Sequence, residues 1–478
     1  MAIRRHVTEG SRGFRSGPEN PLTAPTPTRR AVLAGGLGIT ALIALPDVLA
    51  GSPAYAAQRT AVGGSTPAAP HFFLYGTTGP RTHAGVEDRK SPGTGASSAS
   101  NVVTGLDLAP VKSADGSTLA LVSTSSTGAS RSVTLTLVDT QSGATTARKT
   151  LALPDASSAA SILTRPVFAG PDTVVLLVAV SEPSQPRAVR KTPATGRETV
   201  TTGYTWTTRH QVAYFDRGRS TFNGPHPVRL GSNPYLALTD AAADSTHLYL
   251  WAVQDYSRVL LGKGAAHTSL TTEFFAIPLG SGTPAAAAAS RGPWPSGANA
   301  RILATGHVAR VLAGRDLELY SPADGSLRTV SLAPMHEVGA AKPGAITLDS
   351  LPNGNAVITN SALGRATVVD PAAQFATVVV ADYPRVPYPV RGASVSADGT
   401  TLYTLGARGT GGLNAYRMSD GSLTASYTHG ETYTGVYQMA GGNLLTLTAG
   451  QQTGLSFFTP GLEPVATAAT DVLVAGVY

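Results

Sequence analysis

Residues 382–391, with the sequence DYPRVPYPVR, combine aromatic and cationic side chains in one short stretch. The phenol rings of Tyr383 and Tyr388 are suited to stacking against a flat ligand. The guanidinium groups of Arg385 and Arg391 are suited to pairing with an anion or with a sugar. The prolines between them favour a stiff connector, so packing of the aromatic groups without any ligand is the alternative interpretation.

A second stretch, residues 181–209, is an insertion that follows the apolar run 173–180. It contains five cationic residues and two large aromatic residues, namely Arg187, Arg190, Lys191, Arg197, Arg209, Tyr204 and Trp206. Arg190 and Trp206 are its candidate binding residues, and a solvated loop without a function is the alternative. Tyr433 and Tyr437 are further candidates for the same ligand.

Motifs that carry catalysis or bind metals are absent from the chain. There is no G-x-S-x-G, no P-loop and no G-x-G-x-x-G before a helical pattern. The seven histidines from His210 onwards occur singly, without the i, i+4 spacing of a zinc protease. We therefore assign no catalytic residue and expect neither a metal nor a cofactor.

The β-strands that position these candidate residues are predicted most clearly from residues 396–428, SADGTTLYTLGARGTGGLNAYRMSDGSLTASYT. Asp398-Gly399 and Asp420-Gly421 are turn dipeptides between runs that alternate apolar and polar residues, which is the pattern of β-strands. The stretch therefore predicts most of a four-stranded antiparallel blade. Ala114 to Leu119 repeats the first turn, and Asp324-Gly325 repeats the second two steps of about 48 residues earlier.

This repeat predicts an all-β fold, a β-propeller of seven four-stranded antiparallel blades. The predicted blades are residues 101–153, 162–230, 234–290, 299–333, 344–382, 390–428 and 434–470. Residues 71–75 or residues 471–478 are candidate strands for closing the ring. In a propeller, the loops that join the outermost strand to the next blade lie on the same face as the loops between second and third strands. The two candidate stretches therefore share one face, above the central channel.

The predicted blade at 390–428 resembles those of the YVTN and WD40-like family of secreted seven-bladed propellers. The family pattern appears at Asp398–Tyr403 with Leu413–Asp420, and again at Asp115–Leu121 with Val133–Thr140. The Trp-Asp and Gly-His signatures of true WD40 repeats are absent. The resemblance implies the fold and transfers no functional residue.

The N-terminal 56 residues have the features of a twin-arginine (Tat) signal peptide. Arg29 and Arg30 directly precede an apolar run, and Ala54-Tyr55-Ala56 is a small-x-small cleavage motif. We expect cleavage between Ala56 and Ala57, removal of the signal peptide and bacterial secretion by this route. The apolar run is shorter than the ~20 residues of a membrane span, so no membrane attachment is expected after cleavage.

Composition limits the partners and the sources of stability. Charged residues make up only 14% of the chain. Its net charge of +7 falls to +4 when the six arginines and three acidic residues of the first 56 residues are removed. A surplus this small gives no nucleic-acid footprint. The absence of cysteine excludes disulfides and thiol chemistry.

The predicted mature protein has two parts. Residues 57–100 are expected to be a flexible segment with one short strand near 71–75, and residues 101–478 the propeller. The favoured function is secreted binding of an extracellular ligand, anionic or carbohydrate, by a monomer. The alternative is an exported propeller enzyme, such as a lactonase-like hydrolase, a lyase or a cofactor-dependent oxidoreductase. Propeller active sites are assembled from different blades and leave no local motif.

Overall fold

The computed structural model describes a chain of strands joined by turns. The described residues are 71–78, 84–90, 99–106, 109–127, 130–191, 199–230, 236–254, 272–283, 286–290, 300–312, 316–332, 346–351, 354–360, 365–370, 376–382, 391–406, 412–428, 433–439, 442–448, 453–470 and 472–478. Within these ranges the protein is all-β. None of the described residues belongs to a helix long and apolar enough to cross a membrane.

The described strands pair into eight four-stranded antiparallel sheets, numbered here as blades 1 to 8. Blade 1 contains β1 (His71–Thr78), β2 (Ala84–Lys90), β3 (Ala99–Leu106) and β32 (Val472–Val477); blade 2 contains β4 (Val111–Lys112), β5 (Thr118–Thr127), β6 (Ser130–Asp139) and β7 (Thr145–Leu153); blade 3 contains β8 (Ser161–Ala169), β9 (Thr173–Lys191), β10 (Thr199–Asp216) and β11 (Thr221–Val228); blade 4 contains β12 (Leu236–Ala243), β13 (His247–Gln254), β14 (Thr272–Pro278) and β15 (Ala286–Ser290).

The second half of the chain continues in the same order. Blade 5 contains β16 (Arg301–Ile302), β17 (Val308–Leu312), β18 (Asp316–Ser321) and β19 (Ser326–Ser331); blade 6 contains β20 (Ile346–Ser350), β21 (Ala356–Asn360), β22 (Arg365–Asp370) and β23 (Ala376–Asp382); blade 7 contains β24 (Ala393–Val395), β25 (Thr401–Leu405), β26 (Leu413–Arg417) and β27 (Leu423–Tyr427); blade 8 contains β28 (Tyr433–Gln438), β29 (Leu444–Thr448), β30 (Thr453–Phe458) and β31 (Pro464–Thr470).

The sheets pack into a closed ring. The buried apolar residues form one cluster between each pair of consecutive blades, including blades 8 and 1. In that last interface, Phe72 of blade 1 meets Phe457 of blade 8 edge to face, with ring centroids 5.8 Å apart. The fold is a β-propeller.

Burial within a blade decreases from the inner strands to the outer strand. All five residues of β21 are buried, whereas on the outermost strand β27 Leu423 is 56% exposed. An inner strand has a neighbouring blade against each of its faces, so a continuous apolar run is stable there. This explains why the inner strands are visible in the sequence as apolar segments.

The turn dipeptides lie where the sequence places them. Asp115 and Asp398 lie in the turns between the first and second strands of blades 2 and 7, and each accepts hydrogen bonds from the residue two positions later. Gly116 and Gly399 follow them with φ of 69° and 73°, a conformation that favours glycine. The repeat is therefore confirmed as a structural repeat.

The prediction of seven blades is wrong by one, because the described residues form eight sheets. The seven predicted blades correspond to blades 2 to 8. The missing one is blade 1, in which β32 from the C-terminal end pairs with β1, so both candidate closing strands take part. Strands β2 and β3 lie in a range expected to be largely flexible, and the propeller begins at residue 71 instead of residue 101.

Candidate functional site in the central channel

The described part of the 382–391 connector is its two ends. Tyr383, Arg385 and Tyr388 lie outside the described residues, and Asp382 ends β23. Arg391 is 2% exposed, and its Nη2 atom lies 2.9 Å from Oδ2 of Asp349 in blade 6. Arg391 therefore forms a buried ion pair between blades 6 and 7 and is not an exposed anion contact.

The second candidate stretch forms a two-stranded antiparallel ribbon. β9 and β10 remain paired from Thr173 with Asp216 outwards to Lys191 with Thr199. In this ribbon Arg190 is paired with Val200, and Trp206 with Pro183. The ribbon joins the second and third strands of blade 3, so it rises from the face predicted to carry the ligand.

The base of this ribbon is attached to the preceding blade connection. Glu182 accepts hydrogen bonds from the backbone N–H of Ser157, at 2.8 Å, and from the Ser157 hydroxyl. Arg209 donates to the carbonyl of Asp155 at 2.6 Å and lies 3.5 Å from Glu182. These contacts orient the ribbon where it leaves the ring.

Four polar residues occupy equivalent positions on the innermost strands of blades 5 to 8. Arg301, Asp349, Ser394 and Tyr437 each lie two residues before the turn to the second strand, as the backbone hydrogen bonds of these turns show. Because side-chain direction alternates along a strand, equivalent positions place these groups at one level and in one sense around the channel. They form a polar arc near the end of the channel away from the predicted ligand face.

Tyr478 directly follows β32 in blade 1, and its pKa depends on groups from several blades. Burial raises the pKa of Tyr478 well above its ordinary value, and the phenols of Tyr75 and Tyr437 raise it further. The charges of Arg301 and Arg391 lower this pKa. Arg301 belongs to blade 5, whereas Tyr478 follows the strand that β32 contributes to blade 1. We use the name channel cluster for six residues, namely Tyr75, Arg301, Asp349, Arg391, Tyr437 and Tyr478.

Tyr437 is the member of the channel cluster whose hydroxyl lacks a hydrogen-bond partner among the described residues. Its side chain is only 4% exposed, and burial raises its pKa while the charge of Arg391 lowers it. A buried polar atom without a partner is costly. Tyr437 was a candidate from sequence, and the structure buries it in the apolar cluster between blades 8 and 1.

The described innermost strands carry more positive than negative charge. Lys112 in blade 2 and Arg165 in blade 3 are partly exposed, as is Arg301. Burial lowers the pKa of Lys112 to about 8. The carboxylate of Asp349, already paired with Arg391, is the one acidic side chain described on these strands. Leu163 of β8 is 42% exposed and adds an apolar surface to the channel wall.

Within the channel cluster Arg301 is partly exposed, whereas Arg391 is paired with Asp349 and the three tyrosines are buried in the clusters between blades. Sequence reasoning missed Arg301 and Asp349. Both residues can be found from their position, which is two residues before the turn between the first and second strands of a blade. Finding that position requires an alignment of the blade sequences. Among the described residues, no group of three histidine, aspartate or glutamate side chains is placed to hold a metal ion.

No known family model matches the chain, and no curated protein matches its sequence. Solved structures do. Dihydro-heme d1 dehydrogenase NirN, in complex with DHE, is 12% identical with a TM-score of 0.49, over 90% of this chain and 79% of its own. BamB from Moraxella catarrhalis is 12% identical with a TM-score of 0.38, over 76% of this chain and 91% of its own.

Dipeptidyl peptidase 4 from Porphyromonas gingivalis is 8% identical with a TM-score of 0.40, over 81% of this chain. The present chain spans 56% of the length of that protein. At such identities the likeness concerns the fold alone, and it brings no substrate or partner to this chain.

Proposed function

We propose that the protein is an exported binding protein whose anionic or carbohydrate ligand enters the central channel from the connector face and rests on the channel cluster. The observation that supports this is the equivalent placement of Arg301, Asp349, Ser394 and Tyr437 on the innermost strands of four consecutive blades. Because the residues of such a site come from several blades, the specificity for the ligand depends on how the blades are arranged.

In this proposal the residues have two kinds of role. Arg301 and Lys112 supply positive charge on partly exposed surface and contact the ligand. Arg391 supports the site through its ion pair with Asp349. The connector residues Tyr383, Arg385 and Tyr388, with Arg190 and Trp206 of the ribbon, are proposed to contact the part of the ligand that extends above the channel.

The test is isothermal titration calorimetry with three probes, namely galacturonic acid oligomers, neutral galactose oligomers of the same length and inorganic phosphate. We expect the anionic oligomers to bind and Arg301→Ala to weaken them about tenfold, because a charged hydrogen bond contributes about 1.5–3 kcal/mol. Arg328→Ala is the matched control, since Arg328 is 67% exposed on the outermost strand of the same blade.

Equal effects of the two arginine variants, or no binding of any probe, would argue against a channel ligand of this class. If Arg385→Ala abolished binding and Arg301→Ala did not, the ligand would bind to the connector alone and not to the channel cluster. Chemical conversion of a probe during the titration would favour the exported-enzyme alternative.

Export by the twin-arginine route is the second part of the proposal, and it rests on Arg29, Arg30 and the motif before Ala57. Replacing both arginines with lysine should leave the precursor inside the cell, as measured by immunoblotting of cell and medium fractions. The same variant should be followed in cells whose general secretion route is blocked. Unchanged secretion there would contradict the Tat assignment.

A further inference from the structure

The ribbon of blade 3 continues well beyond the sheet that supports it. β8 pairs with β9 only as far as Ser161 with Ser181, and β11 pairs with β10 only as far as His210 with Val228. Beyond these points we call residues 181–191 and 199–208 the arm. At about 3.4 Å per residue it is on the order of 30 Å long. In the described part of the chain, neither edge of the arm pairs with a third strand.

The β9 edge of the arm has sequence features that oppose hydrogen bonding to a further strand. Pro183 and Pro186 have no backbone N–H to donate to another strand. The pairing register shifts between Tyr204 and Trp206, and the extra residue of this irregularity lies on β9. Lysine and arginine residues follow towards the tip. Prolines, bulges and cations are the features with which natural sheets protect exposed edges.

The β10 edge has none of these features. Residues 199–208 read TVTTGYTWTT, without proline and without charge, and seven of the ten are β-branched. Threonine, valine, tyrosine and tryptophan all favour strands. The two edges of one ribbon thus differ, one protected and the other open along its whole length.

We propose that the β10 edge of the arm pairs antiparallel with the same edge of a second copy of this chain. The product is a four-stranded sheet in the order β9-β10-β10-β9 across a two-fold axis. Identical uncharged strands bring no like charges together, and a two-fold contact satisfies the open backbone groups of both copies at once. Because the strands run in opposite directions, the two rings lie at opposite ends of the shared sheet and do not collide.

An interface of two ribbon edges is smaller than the ~1,600 Å² of a standard stable complex, so we expect a reversible dimer. The test is sedimentation velocity of the full chain from 1 to 200 µM, a range chosen to bracket a dissociation constant of about 1–100 µM. The weight-average mass should rise towards twice that of the monomer. A monomer throughout this range would overturn the proposal, including the case in which the edge instead accepts an extended peptide from another protein.

The decisive variants carry equal charge on opposite edges. Thr201→Lys with Thr202→Lys places two cations on the β10 edge. Ala188→Lys with Val189→Lys places them on β9, directly opposite in the register. The first pair should weaken dimerisation at least tenfold, because charged side chains on an edge strand oppose pairing, and the second should leave it unchanged. Equal weakening by both would overturn the edge-to-edge geometry. Melting temperatures verify that both variants fold.

A second readout does not depend on charge. The chain has no cysteine, so a single introduced thiol reports contacts between copies without interference. Tyr204→Cys lies near the centre of the β10 edge and should form an intermolecular disulfide under mild oxidation. Arg187→Cys, at almost the same height on β9, should not. Equal crosslinking of both variants would contradict the proposal.

Discussion

Arg391 and Asp349 form an ion pair that joins blade 7 to blade 6, with a guanidinium nitrogen 2.9 Å from a carboxylate oxygen and both side chains at most 4% exposed. The backbone of Arg391 extends the connection to blade 8, because its carbonyl accepts a hydrogen bond from the N–H of Val436 at 2.9 Å. One residue therefore contacts three consecutive blades at the wall of the channel. A buried pair of this kind contributes little over a well-packed apolar pair, but breaking it is costly.

Asp349→Ala should reduce the free energy of unfolding by about 3–5 kcal/mol, because it leaves the charge of Arg391 buried without its carboxylate. Urea denaturation measures this loss. Arg417→Ala in blade 7 is the control, since its pair with Asp420 is exposed and should contribute about 1 kcal/mol or less. The double variant Asp349→Leu with Arg391→Met should recover most of the loss. Equal losses for Asp349→Ala and Arg417→Ala would show that burial of the pair does not matter.

Trp251 and Glu318 form the corresponding polar contact between blades 4 and 5. The indole N–H donates to Oε2 of Glu318 at 2.7 Å, and Cζ of Arg310 lies 5.4 Å from the centre of the indole ring. Arg310 and Glu318 are directly opposite on β17 and β18, and both are buried. The interface therefore buries one positive and one negative side chain on neighbouring strands.

Glu318→Gln should cost more than Trp251→Phe, because the first removes the buried negative charge directly opposite Arg310, whereas the second removes one hydrogen bond to Glu318. We expect about 3–5 kcal/mol and about 1–3 kcal/mol respectively, measured by chemical denaturation. The opposite order would indicate that the indole contacts, and not the charge balance, stabilise this interface.

The seven later blades could be predicted from sequence because their signals are local. Asp115 and Asp398 mark equivalent turns, and Asp324 and Asp420 mark another equivalent pair, so the repeat length follows directly from the residue numbers. The alanine run near Ala286, which is preceded by Pro284 in the sequence, forms the outermost strand β15 and not a helix.

Blade 1 and the channel cluster could not be predicted in the same way. β2 and β3 are polar and carry no Asp-Gly turn, and their blade is completed by β32, almost 400 residues away in the chain. Arg301 and Asp349 are ordinary polar residues in sequence, and only the alignment of the blades shows that they occupy equivalent positions on innermost strands. Such pairings depend on topology, which no local pattern encodes.

The Asp-Gly turns should make the protein less stable in acid. Hydrogen bonds from Ser396 and Thr400 lower the pKa of Asp398. For Asp420, the Ser422 hydroxyl and backbone N–H lower the pKa to about 2. A carboxyl group whose pKa is lower in the folded state stabilises the fold above its unfolded pKa of about 3.9. That stability is lost as pH falls through the folded pKa, so the free energy of unfolding should decrease between about pH 4 and pH 2.

Ser396→Ala removes the largest cause of the lowered pKa of Asp398 and should flatten this decrease. Ser426→Ala is the control in the same blade, because its hydroxyl donates to Asn414 and to no carboxylate. Both variants are followed by urea denaturation from pH 5 to pH 2. Parallel profiles for the two variants would show that the turn does not contribute to acid sensitivity.

Closure of the ring by β32 predicts that one charge at the seam destabilises the whole molecule. Val474 is 6% exposed and packs in the cluster between blades 8 and 1. Val474→Asp would bury an unpaired carboxylate, so we expect a loss of at least about 3 kcal/mol in a single shifted thermal transition. Val465→Asp is the control, since Val465 is 46% exposed on β31 of blade 8 and its replacement should change stability by about 0.5 kcal/mol or less.

Because every blade contacts its neighbours around a closed ring, opening the ring between blades 8 and 1 should weaken all interfaces together. Two separate transitions in the Val474 variant would instead mean that blade 1 unfolds alone and that ring closure does not couple it to the other seven blades.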